Sequence, residues 1–196
     1  MTSAPIRPRA LASTRRRVLG VLVAVLAIVA VVLAALFVWP ALRPTDSNPT
    51  NPSGTSVSWP AIVTEDELRS FGAANGPVYW AGPKDGVEYE LTITESGTFY
   101  VRYLTDGAAA GDTSNDFLSV ATYPNIDGYD NLVQAGAQDD AASTLTDSGA
   151  LIVTTSIAPL STYFSFEGLG FQVEVYSPEP GGSLALVEDG TVEVLK

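Results

Sequence analysis

Hydrophobic and polar positions change their spacing several times along the chain, beginning with a long apolar run. Residues 18–39 contain no charged or polar side chain. As a helix with a rise of 1.5 Å per residue they would measure about 33 Å, enough to cross the hydrocarbon core of a bilayer. A cleaved signal peptide is the alternative, but its apolar part is usually about 7–15 residues long and ends in small residues. This run is longer and ends in Phe37-Val38-Trp39-Pro40, so the pattern predicts an uncleaved transmembrane helix over 18–39.

The next residues, 40–58, lack apolar periodicity and are rich in Pro, Ser, Thr and Asn. Such a composition is typical of an extended stalk rather than of a packed segment. From residue 59 the pattern becomes that of a folded domain, which is long enough to bury one hydrophobic core. The expected organisation is a tail over 1–17, a transmembrane helix over 18–39, a stalk over 40–58 and one domain over 59–196.

The domain opens with a helix that has clear start and stop signals. Thr64 and Glu67 have the spacing of a capping box, in which each side chain bonds the other residue's backbone N–H. Leu68 and Phe71 then share one face, and Asn75-Gly76-Pro77 ends the helix. Apolar spacing predicts a second helix over 127–138, starting at Asp127, and a weaker third one over 183–187.

Alternation of apolar and polar residues over 87–94 predicts a strand, and Glu95-Ser96-Gly97 predicts a hairpin loop after it. Pairing Thr94 with Thr98 places Leu91 opposite Val101 on the apolar face. The same register places Glu90 opposite Arg102 on the other face, where we expect an exposed ion pair worth about 0.2–1 kcal/mol. Further strands are predicted over 118–124, over 150–156, on both sides of a Gly168-Leu169 turn within 162–178, and over 191–195. The fold class is α+β, an antiparallel sheet with two or three short helices on one face.

Tyr79, Trp80 and Tyr89 form the densest aromatic group of the sequence. Tyr89 falls on the apolar face of the hairpin, where aromatic residues usually serve packing. Tyr79 and Trp80 are neighbours on a predicted strand, so one of the two rings should point away from the core. That ring is a candidate for ligand binding, and we therefore name Tyr79 and Trp80 as candidate binding residues.

Charge is divided sharply between the two ends of the chain. Five of the ten basic residues precede residue 18, without any acidic residue among them. From Pro44 onward four basic residues stand against all 22 acidic ones, a net charge of −18. Because positive residues flanking a membrane span stay inside, we expect a cytoplasmic amino terminus and an extracytoplasmic carboxyl-terminal domain at the cell membrane. So acidic a domain repels nucleic acid and suits a cation or a basic partner protein.

The chain has no histidine and no cysteine. This composition excludes Ser-His-Asp triads, cysteine nucleophiles and the usual zinc sites, and no cofactor-binding motif is present. Asp106, Asp112 and Asp116 lie in one glycine-containing loop together with Asn115. Their oxygen atoms could ligate calcium, but the spacing lacks the order of an EF-hand, and Asp and Asn are ordinary turn residues. These three aspartates are weak candidates for a metal site, and no catalytic residue is assigned.

The segments VYWAG, YVRYL, SVATYP and YFSFEGLGFQVEVYSP follow one another within residues 77–178 behind the apolar run. In this order they resemble uncharacterised membrane-anchored proteins of Gram-positive, GC-rich bacteria. The resemblance implies an anchored extracytoplasmic domain and transfers no activity, ligand or functional residue.

We therefore expect a single-pass cell-envelope protein whose outer domain is a non-enzymatic binding or scaffolding module. One alternative is a carboxylate-dependent hydrolase acting on wall glycans, which needs two acids about 5–10 Å apart across a cleft. Another is an accessory subunit that contacts a membrane complex through the alanines of residues 18–39.

Overall fold

The computed structural model describes residues 59–196. The predicted tail (1–17), transmembrane helix (18–39) and stalk (40–58) lie outside the described residues. Of the helices in the described part, none combines the length and apolar character needed to cross a bilayer. In chain order the elements are β1 (Ala61–Val63), α1 (Glu65–Asn75), β2 (Tyr79–Trp80), β3 (Glu88–Ile93), β4 (Phe99–Leu104), β5 (Ser119–Pro124), α2 (Gly128–Gly136), β6 (Ala141–Leu145), β7 (Ala150–Thr155), β8 (Ser161–Phe166), β9 (Phe171–Tyr176), α3 (Gly182–Glu188) and β10 (Glu193–Val194).

Eight of these strands form one antiparallel sheet in the order β1-β3-β4-β5-β9-β8-β7-β6. The predicted hairpin register is confirmed, because Leu91 lies opposite Val101 and Glu90 lies opposite Arg102. The second predicted hairpin is confirmed as well, with Phe164 opposite Val173. The α+β class, the antiparallel sheet and three short helices are thus observed in one domain over 59–196. Strands β1 and β6, the two edges of the sheet, were not predicted.

The two faces of the sheet differ in chemistry. We call the face that carries the main hydrophobic core the core face; its central residues include Leu91, Val101, Val120 and Val175. We call the opposite face the polar face, which carries Glu90, Arg102, Ser119 and Tyr176 at neighbouring positions. Because successive strand residues point to opposite sides, each strand contributes to both faces.

Helices lie on both faces of the sheet, so the expectation that they share one face is wrong. Helix α1 begins with the predicted capping box, in which Thr64 N donates to Glu67 Oε2 (2.8 Å), and it buries Leu68 in the main core. Helix α3 also lies on the core face, where the Ser183 and Thr162 hydroxyls are 3.0 Å apart. Helix α2 instead packs on the polar face, where Leu132 forms a second cluster with Val153 and Tyr163.

The second helix is shorter and less buried than its sequence pattern suggested. It spans Gly128–Gly136 rather than 127–138, and the Asp127 side chain makes no capping hydrogen bond. Of the apolar stripe, Leu132 is buried but Val133 is exposed. Gly136 allows α2 to approach the sheet closely, since a Cβ there would lie 2.8 Å from the Ser143 Cβ.

Candidate functional site

The two aromatic residues named as binding candidates, Tyr79 and Trp80, are both buried in the main core. Strand β2 does not join the large sheet; it pairs with β10, and Tyr79 N donates to Thr122 Oγ1 (3.0 Å) on the core face. The prediction that one ring points away from the core is therefore wrong. A two-residue strand lying over a core is enclosed on both sides, which sequence alternation cannot reveal.

Each of the two rings has its own packing partners. Tyr79 meets Phe164 edge-on, with ring centroids 5.2 Å apart. Trp80 packs against Tyr89, and the Arg69 guanidinium lies 4.6 Å from the centre of its ring. Tyr89 is buried too, as predicted. The aromatic group thus packs the core and offers no open ring face to a ligand.

The weak metal candidates are not gathered into a site. Across residues 59–196 no group of three or more acidic side chains is placed to hold a metal ion. Asp106 occupies a turn with φ 56°. Asp112 Oδ1 accepts the Ser114 N–H (2.8 Å), and this bond lowers the pKa of that carboxyl. Asp112 therefore organises its own loop, in the way that Asp commonly shapes turns.

The polar face instead brings together a carboxylate and several hydroxyls that the sequence did not single out. Glu174 on β9 is only 9% exposed. Its Oε1 accepts from Ser161 Oγ (2.8 Å) and from Tyr163 OH (3.2 Å), and its Oε2 accepts from Tyr123 OH (2.6 Å). With Tyr100, whose ring meets that of Tyr123 edge-on at 6.0 Å, these residues form what we call the tyrosine–carboxylate cluster.

Burial affects the acidity of the phenols in this cluster. It raises the pKa of Tyr123 far above its ordinary value, and the neighbouring Glu174 charge raises it further. The same two causes, in the same order of size, raise the pKa of Tyr163. Burial likewise raises the pKa of Tyr100. All three phenols therefore keep their protons at neutral pH, and those of Tyr123 and Tyr163 donate to Glu174.

A second buried carboxylate lies at the β3 end of the polar face. Glu90 is 1% exposed, and its Oε1 accepts from Arg102 Nη1 at 2.8 Å. The loop over 105–117 covers this pair: the Gly111 N–H donates to Glu90 Oε2, and Arg102 Nη2 donates to the Ser114 carbonyl (3.1 Å). The partners of the predicted ion pair are confirmed, but the prediction that the pair is exposed is wrong, because a distant loop closes over it.

The two buried carboxylates are far from each other. Glu90 lies on β3 and Glu174 on β9, three strand spacings away in the sheet order. At about 4.8 Å per spacing the strands that carry them are about 14 Å apart, beyond the separation of a glycosidase pair. Each carboxylate also accepts hydrogen bonds from donors of this chain.

Between these two carboxylates the polar face retains partial exposure. Tyr100, Tyr123 and Tyr176 are half-buried, and they line β4, β5 and β9 together with Ser119 and Gln172. Rings and hydroxyls of this kind can contact a polar or cationic group without any covalent chemistry.

Alternation places Tyr123, Tyr163 and Glu174 on one face, and that signal could have revealed the tyrosine–carboxylate cluster from the sequence.

Comparisons with models of protein families, with curated proteins and with solved structures find no match for this chain. The resemblance to membrane-anchored proteins of Gram-positive bacteria therefore stays a prediction.

Proposed function

We propose that the chain is a single-pass, membrane-anchored protein of the cell envelope whose outer domain is a non-enzymatic binding or scaffolding module. The observation that carries the proposal is the state of the two buried carboxylates. Glu90 is engaged by Arg102 and by the Gly111 N–H, while Glu174 is engaged by three hydroxyls. In a chain without histidine or cysteine, such acids are the natural candidates for acid–base work, and here both accept hydrogen bonds from donors of the domain itself.

The location in the envelope rests on the sequence. The arginines before residue 18, the apolar run over 18–39 and the acidic carboxyl-terminal part favour an amino terminus inside and a domain outside. A domain with four basic and 21 acidic residues over 59–196 favours a basic protein or a cation as its partner.

The wall-glycan hydrolase is the weaker alternative. It needs two acids about 5–10 Å apart, one to protonate the leaving group and one to activate water or attack. The strands that carry Glu90 and Glu174 are about 14 Å apart by strand count, which argues against this pair. The accessory-subunit alternative depends on residues 18–39, and no observation on the described residues favours it.

The proposal is tested with the full-length protein expressed in a Gram-positive host. Protease added to intact cells should digest the domain over 59–196, and crosslinking at the cell surface should recover a partner. The purified protein should release no sugar from cell-wall glycans. A protected domain would overturn the topology. Glycan hydrolysis that is abolished by both Glu90→Gln and Glu174→Gln would establish the hydrolase instead.

A further inference from the structure

Among residues 59–196, strand β6 is the last strand of the large sheet and pairs on one side only, with β7. Four of its five residues, those over 142–145, are exposed. The strand reads AASTL, without a charge or a proline. Proteins usually protect a sheet edge with charged residues, prolines, bulges or a covering segment, because its free backbone groups can pair with another chain. The opposite edge, β1, is only three residues long.

Backbone hydrogen bonds determine which residues of β6 face outward. Thr146 N donates to the Ala150 carbonyl (2.9 Å), and Ser156 N donates to the Asp140 carbonyl (2.9 Å). Since bonding alternates along an antiparallel pair, the even-numbered residues between 140 and 146 direct their N–H and C=O toward β7. The odd-numbered residues, 141, 143 and 145, direct theirs away from the sheet.

Most of these outward groups have no partner within residues 59–196. The Ala141 N–H is bonded to the Gln138 carbonyl (3.2 Å). Both backbone groups of Ser143 and Leu145, and the carbonyl of Ala141, remain available in the described part of the chain. Small side chains at 142–144 let another backbone approach, and Leu145, 63% exposed, offers an apolar contact. An extended segment could therefore add a ninth strand here.

Charge decides among the segments that could occupy the edge. Asp139 and Asp140 precede β6 and Asp147 follows it. A second copy pairing antiparallel about Ser143 would set Asp147 opposite Asp139 of the other copy, and like charges in that position are destabilising. A segment with positive residues at both ends would instead be attracted by these aspartates at both ends of β6.

The stretch of the predicted stalk next to the domain is too short to reach the edge. Within the predicted stalk, the longest stretch without proline is 53–58, and it is joined to the domain beside β1. Seven strand spacings separate β1 from β6, about 34 Å. Six extended residues reach at most about 21 Å, so this stretch cannot pair with β6 of its own domain.

We propose that the β6 edge is a docking strand for an extended segment of a partner protein, uncharged in its centre and carrying Lys or Arg at both ends. The inference rests on the proposed function as a binding module and names the surface and the kind of partner. The backbone groups of Ser143 and Leu145 supply the ladder bonds, and the flanking aspartates select for positive charge.

The test uses full-length protein in a non-ionic detergent and a fluorescent peptide, Lys-Lys-Thr-Val-Thr-Val-Thr-Lys-Lys, with affinity read from anisotropy. Ser143→Pro removes an outward N–H, which an edge strand tolerates, and should weaken binding at least about tenfold. Ser143→Ala keeps that N–H and is the matched control, with unchanged affinity. Asp147→Asn should weaken binding about two- to fivefold.

Peptide variants separate ladder formation from general attraction of charges. A peptide with alternate N-methylated amides cannot form the ladder and should lose binding, and so should a peptide with Glu in place of Lys. Equal binding of the N-methylated peptide, or equal binding by Ser143→Pro and Ser143→Ala, would overturn the inference. Self-association that is sensitive to Ser143→Pro, without peptide binding, would make a second copy the occupant and would also overturn it.

The same variants distinguish this inference from the proposed function in surface crosslinking on cells. A partner recovered equally by the wild type and by Ser143→Pro would leave the binding module intact and refute the β6 edge as its docking surface. A partner recovered by the Ser143→Ala variant but not by the Ser143→Pro variant would support both the binding module and the β6 edge as its docking surface.

Discussion

The buried pair of Glu90 and Arg102 allows a quantitative test of the fold. Their nearest atoms are 2.8 Å apart, the Glu90 side chain is 2% exposed and the Arg102 side chain 18%. With an effective dielectric constant of about 20, the Coulomb attraction at this distance is about 6 kcal/mol, before the cost of removing both charges from water. Because Arg102 keeps some contact with solvent, we expect a net coupling of about 2–4 kcal/mol. An exposed pair would give about 0.2–1 kcal/mol.

The perturbation is a double-mutant cycle of Glu90→Gln and Arg102→Met. Arg102→Met alone should lower the free energy of unfolding by about 3–5 kcal/mol, because it leaves Glu90 buried with the Gly111 N–H as its remaining donor. Glu90→Gln should cost less, since the amide oxygen can still accept that N–H. The double variant should be more stable than the sum of the two losses predicts.

The chain supplies its own control in Glu65 and Arg69, which are also 2.8 Å apart but 39% and 34% exposed. Glu65→Gln with Arg69→Met should give a coupling of about 0.3–0.5 kcal/mol that fades in 1 M salt. Urea unfolding of the full-length protein in detergent, followed by tryptophan fluorescence, measures both cycles. A coupling for Glu90 and Arg102 no larger than the control, or equally sensitive to salt, would show that the loop over 105–117 does not close over the pair.

Three further perturbations test the rest of the domain. Thr64→Ala removes the cap of α1 and should lower the free energy of unfolding by about 1 kcal/mol, whereas Thr64→Ser should preserve it in the same urea assay. Gly72→Ala would place a Cβ 2.5 Å from the Leu195 Cβ; we expect a loss of about 1–3 kcal/mol from overpacking, and a gain in stability would contradict that contact. Burial raises the pKa of Tyr100 and Tyr123 above the unfolded value of about 10. Their contribution to stability is therefore complete below about pH 10 and is lost as the pH rises toward the folded values, so in an alkaline absorbance titration these phenols should ionise only as the chain unfolds.

Local pairing could be predicted from the sequence because it depends on neighbours along the chain. Alternation over 87–94 and the glycine at 97, which has φ 80°, fix the β3–β4 register without knowledge of the rest of the fold. The capping box of α1 is equally local, as Thr64 and Glu67 are three residues apart. The geometry of such features is determined by the spacing of a few residue types along the chain.

Exposure could not be predicted in the same way, because it depends on distant segments. Alternation placed Glu90 on the face opposite the hydrophobic core, but the solvent exposure of Glu90 there depends on the loop over 105–117. Trp80 shows the converse error. Because Tyr79 and Trp80 are adjacent on a strand, alternation predicted that one of the two rings points away from the core. Strand β10, more than 100 residues later in the chain, instead pairs with β2. Strand β6 was missed because AASTL has neither large β-branched residues nor strong alternation.

The scarcity of basic residues explains how the polar face buries its acids. Over 59–196 there are only four Lys and Arg residues for 21 acids, and Arg102 is already committed to Glu90. Glu174 instead accepts from neutral donors, the hydroxyls of Ser161, Tyr123 and Tyr163. The proposed binding to a partner must then rely on groups that make no hydrogen bond within the domain. In the described part of the chain, the outward backbone groups of β6, set between aspartates, meet that condition.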